Sequence, residues 1–216
     1  MIIWEKLQTK KQQIYLTIVA VISWFALVTQ FYLLVINRSN PISETIIRFF
    51  SYFTILTNLF VALCATVQLM NPKSGAGKFF SKPTTLTAIA VYIMMVGIVY
   101  NIILRFTWNP QGMQMIVDEF LHSVIPVVFL LYWLLFTPKG SLQWKNIFSW
   151  LIYPLIYILL ILIRGALSGF YPYPFIDVKN LGYNRVLLHS CGLFIAFLFL
   201  SLLLVAISKM MRRNLR

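Results

Sequence analysis

Apolar residues fill this chain in six long runs separated by short polar stretches. The runs cover about 14–36, 45–70, 84–106, 116–136, 146–167 and 184–208. Each is near the ~20 residues with which a helix crosses a bilayer. The connections are short, which favours antiparallel neighbours. The pattern therefore predicts an all-α fold: a polytopic membrane bundle of six transmembrane helices, forming a single domain over 1–216 with no internal repeat. Punctuation agrees with it. Asn71-Pro72 should end the second helix, Lys82-Pro83 should open the third, and Asn109-Pro110 and Thr137-Pro138 should close the third and fourth. Pro126 and Pro154 fall inside the fourth and fifth runs and predict kinks there.

One run is interrupted by polar groups. The stretch Arg48-Phe-Phe-Ser-Tyr-Phe-Thr-Ile-Leu-Thr-Asn58 places an Arg, a Ser, two Thr and an Asn within eleven residues. Such groups are costly in hydrocarbon unless partnered. On a continuous helix Ser51, Thr54 and Asn58 share one face, so another helix should meet that face. His122 is the best candidate.

Composition sharpens the class. The chain is 60% hydrophobic and 11% charged, where soluble domains carry roughly a quarter charged residues. Cys64 and Cys191 lie within apolar runs, match no ligand spacing, and read as small buried hydrophobes. The first run is too long for a cleavable signal peptide and lacks a small-x-small cleavage site. A net charge of +13 raises nucleic acid as a partner, but topology explains it better. Twelve of the eighteen basic residues, among them Lys6, Lys10, Lys73, Lys139, Lys209, Arg212, Arg213 and Arg216, fall at the termini and in the second and fourth loops, with Glu5 the single acid there. The excess of Lys and Arg predicts that both termini are cytoplasmic, with the basic tail touching anionic lipid. A multi-pass membrane protein follows, with the lipid bilayer as partner and no nucleic acid; oligomeric state stays open.

With that orientation, the strongly polar residues gather in the outer half of the spans: Gln30, Arg48, Ser51, Thr54, Asn101, Arg105, Asp118, Glu119, His122, Arg164, Arg185 and His189. The inner half offers little beyond Gln68. Snorkelling covers the arginines. The His residues and Asn58 point instead to a polar cavity opening outward. Thr54 lies ~14 Å and His122 ~9 Å into their helices at ~1.5 Å per residue, so a hydroxyl, a His base and an orienting acid (Asp118 at i−4 or Glu119 at i−3) could converge. Ser51 and Thr57 are rival hydroxyls. Asp118, Glu119, His122 and His189 could in principle bind zinc. No paired His or Cys spacing supports them, so no metal and no cofactor is expected. The run Arg164-Gly-Ala-Leu-Ser-Gly-Phe-Tyr171-Pro-Tyr173-Pro-Phe175-Ile-Asp177 cannot be regular helix. It reads as an interfacial aromatic belt or as a cap over the cavity mouth, with Asp177 available to Arg164 or another outer arginine. Gly165 and Gly169 form a GxxxG pair, but its place at the helix end makes it a weak sign of helix contact.

Tyr52-Phe-Thr54-Ile-Leu followed by Leu121-His122-Ser-Val-Ile-Pro126, on a six-span layout, resembles the androgen-induced-gene family of membrane hydrolases. Phe50-Ser-Tyr-Phe-Thr-Ile-Leu-Thr-Asn58, Tyr132-Trp, Pro138-Lys-Gly140 and the Arg164–Phe175 run resemble a bacterial six-span branch of that superfamily. The resemblance implies a threonine hydrolase of the bacterial cytoplasmic membrane, acting on a membrane lipid of the class of fatty acid esters of hydroxy fatty acids, with Thr54 as nucleophile and His122 as base. The animal members lack the Tyr-Pro-Tyr-Pro-Phe loop, and Asp118 and Glu119 are not part of their pattern. A more distant relative is an acyltransferase with a Cys nucleophile; Cys64 here lies ten residues deeper than Thr54. On this reading Asn58 or Asn101 donates to the oxyanion. Arg164 or Arg48 holds a carboxylate or phosphate head, and Tyr171, Tyr173, Asp177 and His189 line the substrate. The other readings are a transporter of a small anion or metabolite, and a non-enzymatic lipid-binding protein.

Overall fold

In lipid every backbone N–H and C=O must be satisfied within the protein, so long apolar runs become helices. The computed structural model describes residues 10–213. Six helices are long and apolar enough to span: Lys10–Ile36, Phe53–Met70, Pro83–Leu104, Met113–Phe136, Asn146–Ser168 and Val178–Met211. No strand occurs among the described residues. The outward faces are apolar: Val21, Val28, Leu135, Phe148, Leu167 and Leu188 are all exposed. Exposed apolar side chains on helices of this length belong in a bilayer, and the chain is a multi-pass membrane protein. Glu5, Lys6 and Arg216, and the side chains of Arg212 and Arg213, on which the expected orientation partly rests, lie outside the described residues.

The elements run α1 (Lys10–Ile36), α2 (Ile42–Phe49), α3 (Phe53–Met70), α4 (Gly75–Phe80) and α5 (Pro83–Val99), then a π-turn (Tyr100–Leu104). They continue with α6 (Met113–Glu119), a second π-turn (Phe120–Val124), α7 (Ile125–Phe136), α8 (Asn146–Ser168), a 3₁₀ turn (Pro174–Ile176) and α9 (Val178–Arg213). The backbone of α9 leaves helical geometry at Gly182, whose φ is 76°. Pro154 sits inside α8 without ending it.

The chain divides into two compact units. The first comprises residues up to Leu33 together with Thr57–Thr137. In it α5 runs along α7, and Trp133 on α7 donates its indole N–H to Thr87 Oγ1 on α5 at 2.8 Å. From α1, Tyr15 donates to the Val128 carbonyl at 2.9 Å and Trp24 to Thr66 Oγ1 at 2.9 Å. At the other end of α1, Gln114 donates to Gln30 Oε1 at 2.8 Å. A network that the apolar pattern concealed joins Gln12, Tyr132 and Gln68, with Gln12 donating to Tyr132 Oη and Tyr132 to Gln68 Oε1, each at 3.1 Å.

The second unit comprises Leu34–Leu56 and Pro138–Arg216. Its α8 and α9 pack together with the 3₁₀ turn between them. The core is Ile161, Ile176 and Val186, flanked by Tyr157, Tyr173 and Phe175. Here the second apolar run departs from expectation, because it is not one helix. It breaks after Phe49 and restarts at Phe53, so Ser51 lies in the break and does not share a helical face with Thr54. Ser51 and Tyr52 turn their amides back three residues, onto Arg48 O and Phe49 O. The orphaned donors of a new helix start are then met by tyrosines. Phe53 N donates to Tyr157 Oη at 3.1 Å and Thr54 N to Tyr173 Oη at 3.2 Å. Tyr157 in turn donates to Ser51 O at 2.8 Å. The Phe53 ring, packed on Tyr153, Tyr157 and Phe197 with centroids 5.0–5.7 Å away, anchors the restart.

Replacing Tyr157 by Phe deletes a donor and an acceptor at this break. About 1–3 kcal/mol of stability should be lost for each group left unmet, measured as a lowered thermal unfolding midpoint in detergent. The matched change Tyr32→Phe, on an exposed side chain, should have little effect.

Candidate functional site

Pro126 lacks an N–H, and this orders the first polar cluster. Just before it, Ile125 N reaches back five residues to Phe120 O and makes the π-turn. The carbonyl of Leu121 thereby loses its α-helical donor to that turn, and the carbonyl of His122 loses its donor to the proline. Two asparagines supply the missing bonds: Asn58 Nδ2 donates to Leu121 O and Asn101 Nδ2 to His122 O, each at 3.2 Å. Asn101 sits in the other π-turn, closed by Arg105 N on Tyr100 O at 2.8 Å. The approach is close because residue 97 is glycine; a Cβ there would lie 3.1 Å from Pro126 Cβ and 3.2 Å from His122 O. Both asparagines thus hold backbone carbonyls.

The opened turn presents His122. Its Nδ1 lies 2.9 Å from the Asp118 carbonyl and 3.2 Å from Asp118 Oδ1. Both are acceptors, so in the neutral ring Nδ1 carries the proton and Nε2 keeps its lone pair. Asp118 is buried, and its second oxygen accepts a hydrogen bond from Tyr100. The Tyr100 ring stacks on the imidazole with centroids 4.1 Å apart and planes at 15°. The i−4 acid thus orients the ring as expected, whereas Glu119 does not. It pairs with Arg105, whose Nη2 is 2.7 Å from Oε2, and the pairing holds the guanidinium charged. Arg105 also donates to Ser123 Oγ at 3.1 Å. π-turns of this kind recur at functional sites.

The second cluster lies in the other unit. Thr54 is buried in the first turn of α3, and its hydroxyl is 3.3 Å from Tyr173 Oη. Burial pushes the Tyr173 phenol up to about 12, so it stays protonated at neutral pH. Of the rival hydroxyls, Ser51 donates to Ile47 O at 2.6 Å and Thr57 has no hydrogen-bond partner among the described residues. Nearby, Glu44 Oε1 accepts from Arg48 Nε at 2.7 Å and Arg164 Nη2 at 2.9 Å. Phe170 packs under both guanidinium groups, 4.4 Å and 4.9 Å from its centroid.

The loop before α9 corrects several expectations. Asp177 does not pair with Arg164. Its carboxylate caps α9, accepting from Lys179 N at 2.9 Å and Asn180 Nδ2 at 2.7 Å. Gly165 leaves room for the Tyr171 ring, and Gly169 ends α8 at φ 72°, so the pair serves this loop rather than a helix crossing. Burial raises the Tyr171 phenol above its ordinary value. His189, exposed on α9, has Nδ1 2.9 Å from Phe175 O and braces the loop. Cys191 is exposed, not buried like Cys64. Tyr100, Tyr157 and Glu44 had no motif to mark them; a proline inside a span, with asparagines on neighbouring spans, was the one available sign of the capped carbonyls.

The chain matches no protein-family model, and comparison with curated proteins and with solved structures finds no match.

Two outcomes follow. Asn101→Ala leaves His122 O without its donor and should lower stability by about 1–3 kcal/mol, read as a thermal shift. Glu44 is held below its ordinary value, chiefly by the Arg48 hydrogen bond and further by Arg164. A depressed carboxyl stabilises the fold above its unfolded pKa, and that contribution disappears as pH falls through the folded value. The unfolding midpoint of Glu44→Gln should therefore fall less between pH 7 and pH ~3 than that of the unaltered protein.

Proposed function

We propose that this integral membrane protein is a lipid ester hydrolase of a bacterial plasma membrane, with both termini cytoplasmic. His122 is its general base and Thr54 its nucleophile. The observation that carries the proposal is the His122–Asp118 pair, since a buried carboxylate on Nδ1 leaves Nε2 as the proton acceptor. The resemblance to threonine hydrolases supplies Thr54. Its place in the first turn of α3 supports the role, because the amide end of a helix favours developing negative charge. Thr54 Oγ attacks the ester carbonyl while His122 takes its proton. That proton then passes to the departing alcohol, which leaves an acyl-threonine. Water, deprotonated by the same imidazole, splits the acyl bond, releases the fatty acid and restores Thr54. Asp118 is a positioning residue throughout, and Tyr100 holds its other oxygen.

The purified protein should hydrolyse long-chain p-nitrophenyl or hydroxy-fatty-acid esters. Thr54→Ala should abolish turnover, His122→Gln should reduce kcat about 10²–10⁴-fold, and Asp118→Asn should lower kcat with KM nearly unchanged. Full activity in both Thr54→Ala and His122→Gln would refute the mechanism.

A further inference from the structure

The Glu44 group is out of balance. Two guanidinium cations share a single carboxylate oxygen, which leaves one positive charge over. The donors are not all used. Arg164 Nη1 is buried with no hydrogen-bond partner among the described residues, and Arg48 meets Glu44 through Nε alone. An unmet buried donor on a charged group is unfavourable and asks for an acceptor. The nearest other charges on the loop, Asp177 and Lys179, are opposite in sign, and the carboxylate of Asp177 is already engaged at the start of α9.

The surroundings describe the acceptor. Phe170 lies against both guanidiniums. Apolar side chains next to the arginines face outward: Ile47 beside Arg48 is 51% exposed, and Leu167, one helical turn beyond Arg164, is 84% exposed. A polar, singly charged end and an apolar body would both be met here. A dianion would overshoot the single surplus charge and leave one negative charge uncompensated.

We propose that Arg48 and Arg164, tuned by Glu44, form a seat for the monoanionic head of an amphiphile, a carboxylate or a phosphodiester, whose tail lies along the exposed apolar faces of α2 and α8. As to what this amphiphile is to the protein, substrate or product, the proposal rests on the hydrolase reading; its binding does not. Glu44 trims two positive charges to one and so selects monoanions over dianions.

The test is equilibrium binding by titration calorimetry to the full chain in nanodiscs of neutral lipid. Dodecanoate and dodecyl methyl phosphate should bind, while acetate and methyl dodecanoate should bind at least ten-fold more weakly. Acetate as tight as dodecanoate would show a site for a free anion and overturn the amphiphile. Methyl dodecanoate as tight would overturn the charged seat. Arg164→Gln should weaken dodecanoate about ten-fold or more, the loss of one charge-assisted hydrogen bond. If that variant does not fold, Arg48→Gln, which keeps the Arg164–Glu44 pair, is read in its place. Glu44→Gln should tighten monoanion binding and admit the dianion dodecyl phosphate; unchanged or weaker binding would overturn the charge argument. Thr54→Ala separates the two proposals. Native-like binding without turnover supports both. Turnover unchanged in Thr54→Ala removes the hydrolase reading and leaves the seat. Unaltered Kd and KM in Arg164→Gln removes the seat and leaves the hydrolase.

Discussion

A backbone group without a hydrogen-bond partner has no water to turn to inside a bilayer, and this chain breaks its helices within the apolar runs. Its polar side chains are arranged around that constraint. The proline at 126 denies a donor to the turn carrying His122, and Asn58 and Asn101 provide it. The restart of α3 at Phe53 exposes helix-end amides, and Tyr157 and Tyr173 receive them. Many residues that look like candidates for chemistry are therefore holding backbone in place. Removing them would damage the fold before it touched any reaction.

The same constraint produces what chemistry the two clusters offer. The widened turn presents His122 to Tyr100 and Asp118, and the stacking and the hydrogen bonds leave the ring little freedom. A fixed imidazole with one nitrogen committed to a carboxylate is preorganised for proton transfer. The start of α3 places the Thr54 hydroxyl beside a protonated phenol. Of the outer arginines, Arg105 is matched one to one by Glu119, while Arg48 and Arg164 must share Glu44. Of these two groups, the one on Glu44 retains surplus charge.

Much of the fold was legible in the chain because the bilayer imposes a length and an apolarity that composition displays directly. All six spans lie where the apolar runs lie. The i−4 spacing of Asp118 and His122 was legible too, since helical spacing survives the π-turn. The break at Phe50–Tyr52 was not. It falls among aromatic residues that suit a helix, and what stabilises it comes from Tyr157 and Tyr173, more than a hundred residues later. The partner of Arg164 was hidden for a similar reason. Asp177 is nearer in sequence, but it follows a 3₁₀ turn and opens a helix, and an acid there caps local amides.

The proposal that Thr54 is the nucleophile and His122 its base is tested most directly by covalent capture. The purified protein would be treated with a long-chain alkyl fluorophosphonate and its peptides mapped by mass spectrometry. The account predicts an adduct on Thr54 that is greatly reduced in His122→Gln protein. An adduct on Ser51, Thr57 or Ser123, or no adduct from a protein that hydrolyses esters, would contradict it.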